Sequence, residues 1–257
     1  MAKLGGDPDI KNSDFGINKF GYNSDVDAAE DIWTGGGNFD WTKVAANAAT
    51  TIESSSVEDD PDKGGGVPGT GAWTVEVEGL VLETIGQLTG GRIYKETVSL
   101  NGAAAVTLSH QFAFVYRVAV KTAGTGNANA GLLSVKHAAD VIARVEISDN
   151  QTEMALMIVP QFTSQGTVIQ GAYLHGWDAS VVANTAQNAG IGIFVAGKDT
   201  VVFRPQRRGT ITVANDIRDE FHAPLYYTPG TKIKVRATSV SAANQAIQGG
   251  FTLEYDI

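Results

Sequence analysis

Cysteine, histidine and activated serine are the side chains most often used for nucleophilic catalysis or metal binding, and this sequence offers few of them. No cysteine occurs, which excludes a thiolate nucleophile, a thiolate metal site and a disulfide framework. The histidines are His110, His137, His175 and His222. None has metal-ligand spacing such as His-Glu-x-x-His, and no Gly-x-Ser-x-Gly motif is present. Only His175, near Trp177 and Asp178, belongs to a local group that could hydrogen-bond a ligand, and a structural histidine is the favoured interpretation there.

Two glycine-containing segments resemble phosphate-binding loops by letter only. Residues 64–69 match G-x-G-x-x-G, but an acidic loop precedes them and a strand pattern follows them. A dinucleotide site requires a strand before the motif and a helix after it. Residues 192–199 resemble a P-loop, but their middle is strand-like and Asp199 replaces the hydroxyl that would bind magnesium. The sequence therefore predicts no cofactor.

Carboxylates are the remaining groups suited to acid–base chemistry. The acidic run of Glu58, Asp59, Asp60 and Asp62 lacks the alternating spacing and the final glutamate of an EF-hand loop, so it is interpreted as a solvated loop. No pair suited to glycoside hydrolysis can be selected, because any two carboxylates can meet in space. We therefore expect no metal site, no catalytic residue and no enzymatic activity.

One basic cluster stands out in an acidic chain: Arg204, Arg207 and Arg208, within five residues. Guanidinium groups can bind carboxylates of a partner in a bidentate manner. The alternative is internal pairing with the nearby carboxylates of the sequence, which are Asp216, Asp219 and Glu220. Another kind of binding is suggested by Trp177, which lies in a possible loop and could stack on a sugar, as in carbohydrate-binding sandwiches.

Composition limits the classes of partner. The 257 residues carry a net charge of −9, which argues against binding to nucleic acid or to an anionic membrane surface. No apolar run approaches the ~18 residues of a membrane helix, and the N-terminus has no secretory apolar region. Charged residues make up only 18%, which suits a surface largely covered by neighbouring proteins and would also suit an alanine-rich β-protein.

Period-two alternation dominates the chain and predicts an all-β fold. It is clearest over residues 73–137, where strand patterns are separated by glycine and asparagine about every ten positions. Asn101-Gly102 suits a tight hairpin, and a slightly longer loop over residues 103–106 is equally possible. About eight further strands follow, including residues 200–204 and 232–240, which fits an antiparallel β-sandwich or jelly roll. The alternation of lysine and apolar residues from Lys232 predicts one charged, exposed face.

Three segments are predicted: an extended N-terminal arm (1–40), a β-sandwich domain (41–148) and a jelly-roll-like β domain (149–257). The arm is rich in glycine, aspartate and asparagine, with sparse apolar anchors. We interpret Phe15, Phe20, Ile32 and Trp33 as anchors that fill pockets on a partner. The alternative is that these residues lie across the protein's own sandwich.

Several segments together resemble a group of tailed-bacteriophage virion proteins. Residues 15–37 resemble its "FG-N-D…ED-W-GGG" opening, residues 96–102 its "ETV-LNG", and residues 117–131 its "RV-V-TAG-G-NAG". Residues 232–238, followed by 249–251, resemble its C-terminal part. Residues 86–92 depart from the group by inserting glycine and leucine. The resemblance spans nearly the whole chain, but the group has no defined catalytic residues to transfer.

The resemblance implies a structural protein of a phage particle, and a capsid decoration, or cement, protein is the role we favour. Such a protein is made in the host bacterial cytoplasm and binds the outer capsid surface. Its expected partners are the major capsid protein and further copies of itself, as a trimer. A tail or head–tail accessory protein and a carbohydrate-binding module are the alternatives.

Overall fold

A computed structural model describes residues 16–45, 49–84, 86–152, 154–182, 188–212 and 215–257. Over these residues the protein is built from antiparallel strands and two short 3-10 helices, Trp41–Ala45 and Leu88–Gly90. The prediction of an all-β antiparallel sandwich is confirmed. The strands are β1 (Gly16–Val26), β2 (Thr50–Ser54), β3 (Ala72–Leu82), β4 (Gly91–Ser99), β5 (Val106–Thr107), β6 (Phe112–Ala123), β7 (Leu133–His137), β8 (Asp140–Val145), β9 (Leu156–Ile158), β10 (Gly171–Val181), β11 (Asn188–Ala196), β12 (Arg204–Thr212), β13 (Ile217–Tyr227), β14 (Lys232–Val240) and β15 (Gln245–Asp256).

Four sheets contain these strands. Sheet 1 has the order β1-β15-β10-β13, and sheet 2 the order β12-β11-β14-β9. The first half of the chain forms sheet 3 (β5-β2-β7-β8) and sheet 4 (β4-β3-β6). Sheet membership thus changes between β8 and β9, near the predicted boundary at residue 148. The first half of the chain supplies sheets 3 and 4, and the second half supplies sheets 1 and 2, except that β1 belongs to sheet 1. The division into domains stays a prediction.

Strand β6 is the centre of the first half. Five consecutive residues, Phe112 to Tyr116, are buried, so both faces of this part of the strand are covered. A strand buried on both faces is a continuous apolar run rather than an alternating one. Phe114 stacks on Trp41 at 5.7 Å between ring centroids. The buried apolar side chains of all four sheets belong to one cluster.

Sheets 1 and 2 form a sandwich, with β10 in contact with β11 and β12, and β15 in contact with β14. The strand predicted at residues 200–204 is wrong in its position, because residues 200–203 form a loop and β12 begins at Arg204. Strand β10 carries an irregularity between Leu174 and Gly176, opposite an expanded part of β13.

The Asn101-Gly102 turn forms, but the predicted hairpin does not. Gly102 adopts φ +54°, the backbone region that glycine tolerates best. The flanking strands then diverge: β4 pairs with β3, whereas β5 pairs with β2 in another sheet. The turn residues also bind elsewhere, since the Gly102 N–H donates to the Asp59 carbonyl oxygen at 3.0 Å. Turn chemistry therefore predicted the bend and not the strand pairing.

Candidate interaction surface

The described residues contain no group of three or more histidine, aspartate or glutamate side chains that could hold a metal ion. His110 and His137 make structural contacts, whereas His175 and His222 lie on the paired strands β10 and β13. His137 is buried, and its Nε2 contacts the Phe112 carbonyl oxygen. Burial lowers the pKa of His137, which favours the neutral ring. His110 Nδ1 lies 3.0 Å from Glu96 Oε2 at the end of β4, and this contact holds a loop.

Trp177 has a structural position that removes the reason for proposing sugar stacking. Its side chain is only 3% exposed, inside the sandwich of sheets 1 and 2. Its indole N–H donates to Asp219 Oδ2 at 3.3 Å. His175 Nε2 lies 3.0 Å from Glu254 Oε2 on the neighbouring strand β15. The predicted local group is therefore divided between the core and the surface.

Asp59 corrects the interpretation of the acidic run as a solvated loop. Its side chain is fully buried, and its Oδ1 accepts hydrogen bonds from the backbone N–H groups of Ala72 at 2.6 Å and Ala130 at 2.8 Å. Its Oδ2 accepts from the Gly131 N–H at 2.8 Å and the Ser54 hydroxyl at 2.5 Å. A carboxylate with this many donors can be buried without a cation. It ties three loops of the first half together.

The lysines of β14 also contradict the sequence prediction, because both are buried instead of forming an exposed face. Lys234 Nζ lies 2.7 Å from Asp31 Oδ1 and 4.3 Å from the centroid of the Phe203 ring. Desolvation lowers the pKa of Lys234, and Asp31 opposes that shift. Lys232 Nζ donates to the carbonyl oxygens of Gly197, Lys198 and Thr200 at 2.8–3.2 Å.

The four predicted anchors of the N-terminal segment have different positions. Ile32 and Trp33 are 0% and 5% exposed in the core of this chain, which is the alternative that the sequence left open. Strand β1 pairs with β15 along its length, so the segment from residue 16 lies across the protein's own sheets. Phe20 is 44% exposed. Phe15 lies outside the described residues.

The sandwich of sheets 1 and 2 has two lateral sides, and the first half of the chain covers one of them. On that side Lys19 of β1 donates its Nζ–H to the Tyr116 carbonyl oxygen at 2.6 Å. The Tyr116 hydroxyl in turn donates to the Ile158 carbonyl oxygen of β9 at 2.7 Å. Strand β6 therefore bridges the edges of both sheets.

The other lateral side, formed by the edge strands β12 and β13, has no further strand paired to it in the described chain. We call it the open side. Arg204, Pro205, Arg207 and Arg208 are all exposed, although neighbouring residues of a strand point to opposite faces. Both faces of this part of β12 are thus uncovered. Uncovered edge strands offer backbone hydrogen-bonding groups to another chain.

Strand β13 widens the open side through a bulge. Glu220 pairs with Gly176 and Leu225 with Leu174, so residues 221–224 stand opposite His175 alone. Three of these four residues, His222, Ala223 and Pro224, are exposed. A bulge of this kind bends a strand out of the sheet and interrupts its pairing. Pro224 is the sequence signal that could have marked it, because proline within a strand is confined mainly to edge strands and bulges.

The predicted basic cluster lies on the open side, and internal pairing accounts for one of its three members. Arg207 Nε is 3.7 Å from Asp219 Oδ2, and its guanidinium stacks over Phe221 at 5.3 Å. Arg208 stacks over Phe194 at 5.5 Å. Arg204 and Arg208 form no ion pair with any residue that the structure describes. Two guanidinium groups are therefore available to a partner.

An acidic groove lies next to the open side, on the outer face of sheet 1. Its volume is about 480 Å³, and Asp178 and Glu220 line it together with one guanidinium, that of Arg218. Asp219 also borders it, but this residue stands opposite Trp177, and its carboxylate already contacts the Trp177 indole and Arg207. Desolvation raises the pKa of Asp178, against the opposing effect of Arg218. Phe20 and Asp178 both lie opposite Gly250, so they share this outer face. Sequence analysis did not identify Asp178 as part of a surface, because register alone places it beside β13.

Several residues of the segments that resemble phage virion proteins hold separate parts of the fold together. Asp31 is the buried partner of Lys234, and its Oδ2 accepts the Phe39 N–H at 3.0 Å. A side chain on Gly35 would meet the Trp33 ring at 2.1 Å, so only glycine fits there. Asn129 donates its amide to the carbonyl oxygens of Gly131 and Glu146, each at 2.7 Å. These motif residues therefore fix loops and sheet contacts.

Comparisons with known proteins give no assignment. No protein-family model and no curated protein matches this chain. Two solved structures of infectious bursal disease virus, of its Gt and Gx strains, align at 12% identity over 93% of this chain and 71% of theirs, with a TM-score of 0.24. A TM-score this low carries no argument about fold or function. In the described part of the chain, no helix is long and apolar enough to cross a membrane.

Proposed function

We propose that this chain is a structural protein of a bacteriophage particle, a capsid decoration protein that binds the outer shell as an oligomer and stabilises it. One observation carries the proposal. The residues that resemble phage virion proteins, such as Asp31, Gly35 and Asn129, are buried or close-packed joints of this fold. A shared motif set that specifies architecture is what a structural protein requires.

In this proposal the chain acts by binding, without a catalytic step. Its partners are the major capsid protein and further copies of itself, arranged as a trimer. The net charge of −9 supports an outer position, because a surface facing the packaged genome would be repelled by phosphate. The same charge argues against nucleic acid and anionic membranes as partners.

In this proposal the chain stabilises the shell by burying additional interface across the contacts between neighbouring capsid subunits. Each contact is weak, but an oligomer that touches several capsid subunits gains effective concentration at its second and third contacts. The shell then resists the internal pressure of packed DNA because more interface must be exposed before it opens. Exposed apolar side chains suited to such contacts include Phe20 at 44% and Val202 at 67%.

Quantitative mass spectrometry of purified phage particles tests the proposal, with electron microscopy of particles that carry a tagged chain. We expect many copies per particle, located on the head. Particles that lack the chain should release DNA at a lower temperature than complete particles. Absence from purified particles would refute the proposal, and a few copies confined to the tail would favour the tail accessory alternative.

A further inference from the structure

Strand β12 and the acidic groove carry opposite charges, and both border the open side. Strand β12 contributes three arginines and no acidic residue over Arg204–Thr212. The groove has two carboxylates without an ion pair in the described chain, those of Asp178 and Glu220, and one guanidinium, that of Arg218. Asp178 and Glu220 form no ion pair with a residue in the described ranges, and neither do Arg204 and Arg208. Two arginines and two carboxylates are thus present without an ion pair inside the described part of one copy, and Arg218, opposite Asp178, is the guanidinium that the groove itself supplies.

We propose that the open side is the contact between copies of this chain, in which Arg204 and Arg208 of one copy pair with Asp178 and Glu220 of the next. This inference rests on the oligomeric role proposed above and assigns its interface. It differs from the simplest edge-to-edge arrangement. Pairing β12 with β12 of a second copy would bring the arginines of both strands together, and like charges directly opposite destabilise a sheet.

A second copy is the occupant that the charges select. The chain as a whole carries −9, so the basic stretch is the exception on its surface and its complement is elsewhere on the same chain. Charge complementarity of this kind fixes orientation and register between subunits. A rotation axis beside the open side would repeat the same arginine–carboxylate pairs from copy to copy, which gives a closed ring.

Apolar and aromatic side chains around the charged residues supply the rest of the contact. Val201 and Val202, just before β12, are 50% and 67% exposed. Tyr173 and Tyr226 are 37% and 43% exposed, and their rings pack against each other in a tilted arrangement with centroids 5.0 Å apart. Arginine and tyrosine are enriched at protein interfaces, and burial of the valines would remove exposed apolar surface from water.

Charge reversal tests the contact in the full chain, with mass measured by light scattering and dissociation constants by sedimentation velocity. We expect Arg204→Glu with Arg208→Glu, and separately Asp178→Arg with Glu220→Arg, to weaken association by about tenfold or more. The quadruple variant, in which the signs are exchanged on both halves, should regain most of the lost affinity. Weakening of the wild-type contact by salt is a further expectation.

The matched control is Arg117→Glu with Lys121→Glu, which makes the same change in net charge at residues of β6 away from the open side. It should leave association unchanged. Arg204→Gln with Arg208→Gln gives the same direction of effect should the glutamate variant not fold, as judged by circular dichroism.

A wild-type chain that stays monomeric at about 100 μM would overturn the inference. Its dissociation constant would then exceed about 0.1 mM, and a contact this weak is worth less than about 5.5 kcal/mol. Equal association of all variants, or no recovery in the quadruple variant, would overturn it as well. The particle experiment remains separate: a chain present on phage heads but monomeric in solution keeps the proposed capsid role and loses both the trimer and this interface.

Discussion

The buried ion pair between Asp31 and Lys234 gives the sharpest test of how this fold is held together. It joins the turn after β1 to the middle of β14, more than half the chain away in sequence. The side chains of Asp31 and Lys234 are 0% and 4% exposed. Replacing Lys234 by methionine keeps most of the side-chain volume and removes the charge. The Asp31 carboxylate then keeps the Phe39 N–H as its donor but loses its cation.

The expected cost follows from this geometry. Removing one partner of a buried pair typically costs about 3–5 kcal/mol, because the other charge is left without compensation. The loss of the ammonium above the Phe203 ring adds to it, by about 1–2 kcal/mol. Asp31→Asn with Lys234→Met removes both charges, and the amide oxygen can still accept the Phe39 N–H. We expect this double variant to lie within about 2 kcal/mol of the wild type, with a coupling energy of about 2 kcal/mol or more.

Urea denaturation of the wild type, both single variants and the double variant measures the four free energies of unfolding. Tryptophan fluorescence is a suitable local probe, because Trp33 and Trp41 pack against Phe39 at 5.4 and 5.0 Å. Lys95→Met is the control, since Lys95 forms a more exposed ion pair with Glu78 and should change stability by about 1 kcal/mol or less. Additive single costs, with a coupling energy below about 0.5 kcal/mol, would refute the reasoning.

Three further predictions concern single groups. Asp59→Asn should destabilise the protein by about 3 kcal/mol in urea denaturation, because an amide cannot accept hydrogen bonds from all four donors. The control Asp62→Asn, in the exposed part of the loop, should have little effect. Equal effects of the two substitutions would contradict the role assigned to Asp59. For His137, the folded-state pKa is lowered by burial, so stability is fully present above the unfolded pKa of about 6.5 and is lost as the pH falls through the folded pKa. Thermal unfolding across pH 5–8 should show this slope, and His137→Gln should reduce it. Desolvation lowers the pKa of Lys19 to about 8, so its acetylation by acetic anhydride should rise with a midpoint near that pH. A midpoint at the ordinary lysine value of about 10.4 would count against the buried amine.

Local pattern was enough to predict the secondary structure class and many strands. The alternation over β3 and the apolar run over β9 follow from which faces of a strand are buried, and this is a property of neighbouring residues. The basic cluster was also predictable, because its arginines lie close together in the sequence. Its partner, the acidic groove, was not predicted, because Asp178 and Glu220 come from strands more than forty residues apart and meet only through the register of sheet 1.

The sequence by itself determined that this protein is all-β, acidic and without cysteine chemistry, and it located the exposed arginines. Tertiary structure decided which strands pair, that Lys232 and Lys234 are inside, and that Asp59 is buried. The physical reason is the same in each case. A polar residue on a strand or loop can lie at the surface, where water solvates it, or in the core. It is buried only where a distant segment supplies its hydrogen bonds or an opposite charge. For Lys234 that segment is the loop at Asp31, which alternation along β14 cannot reveal.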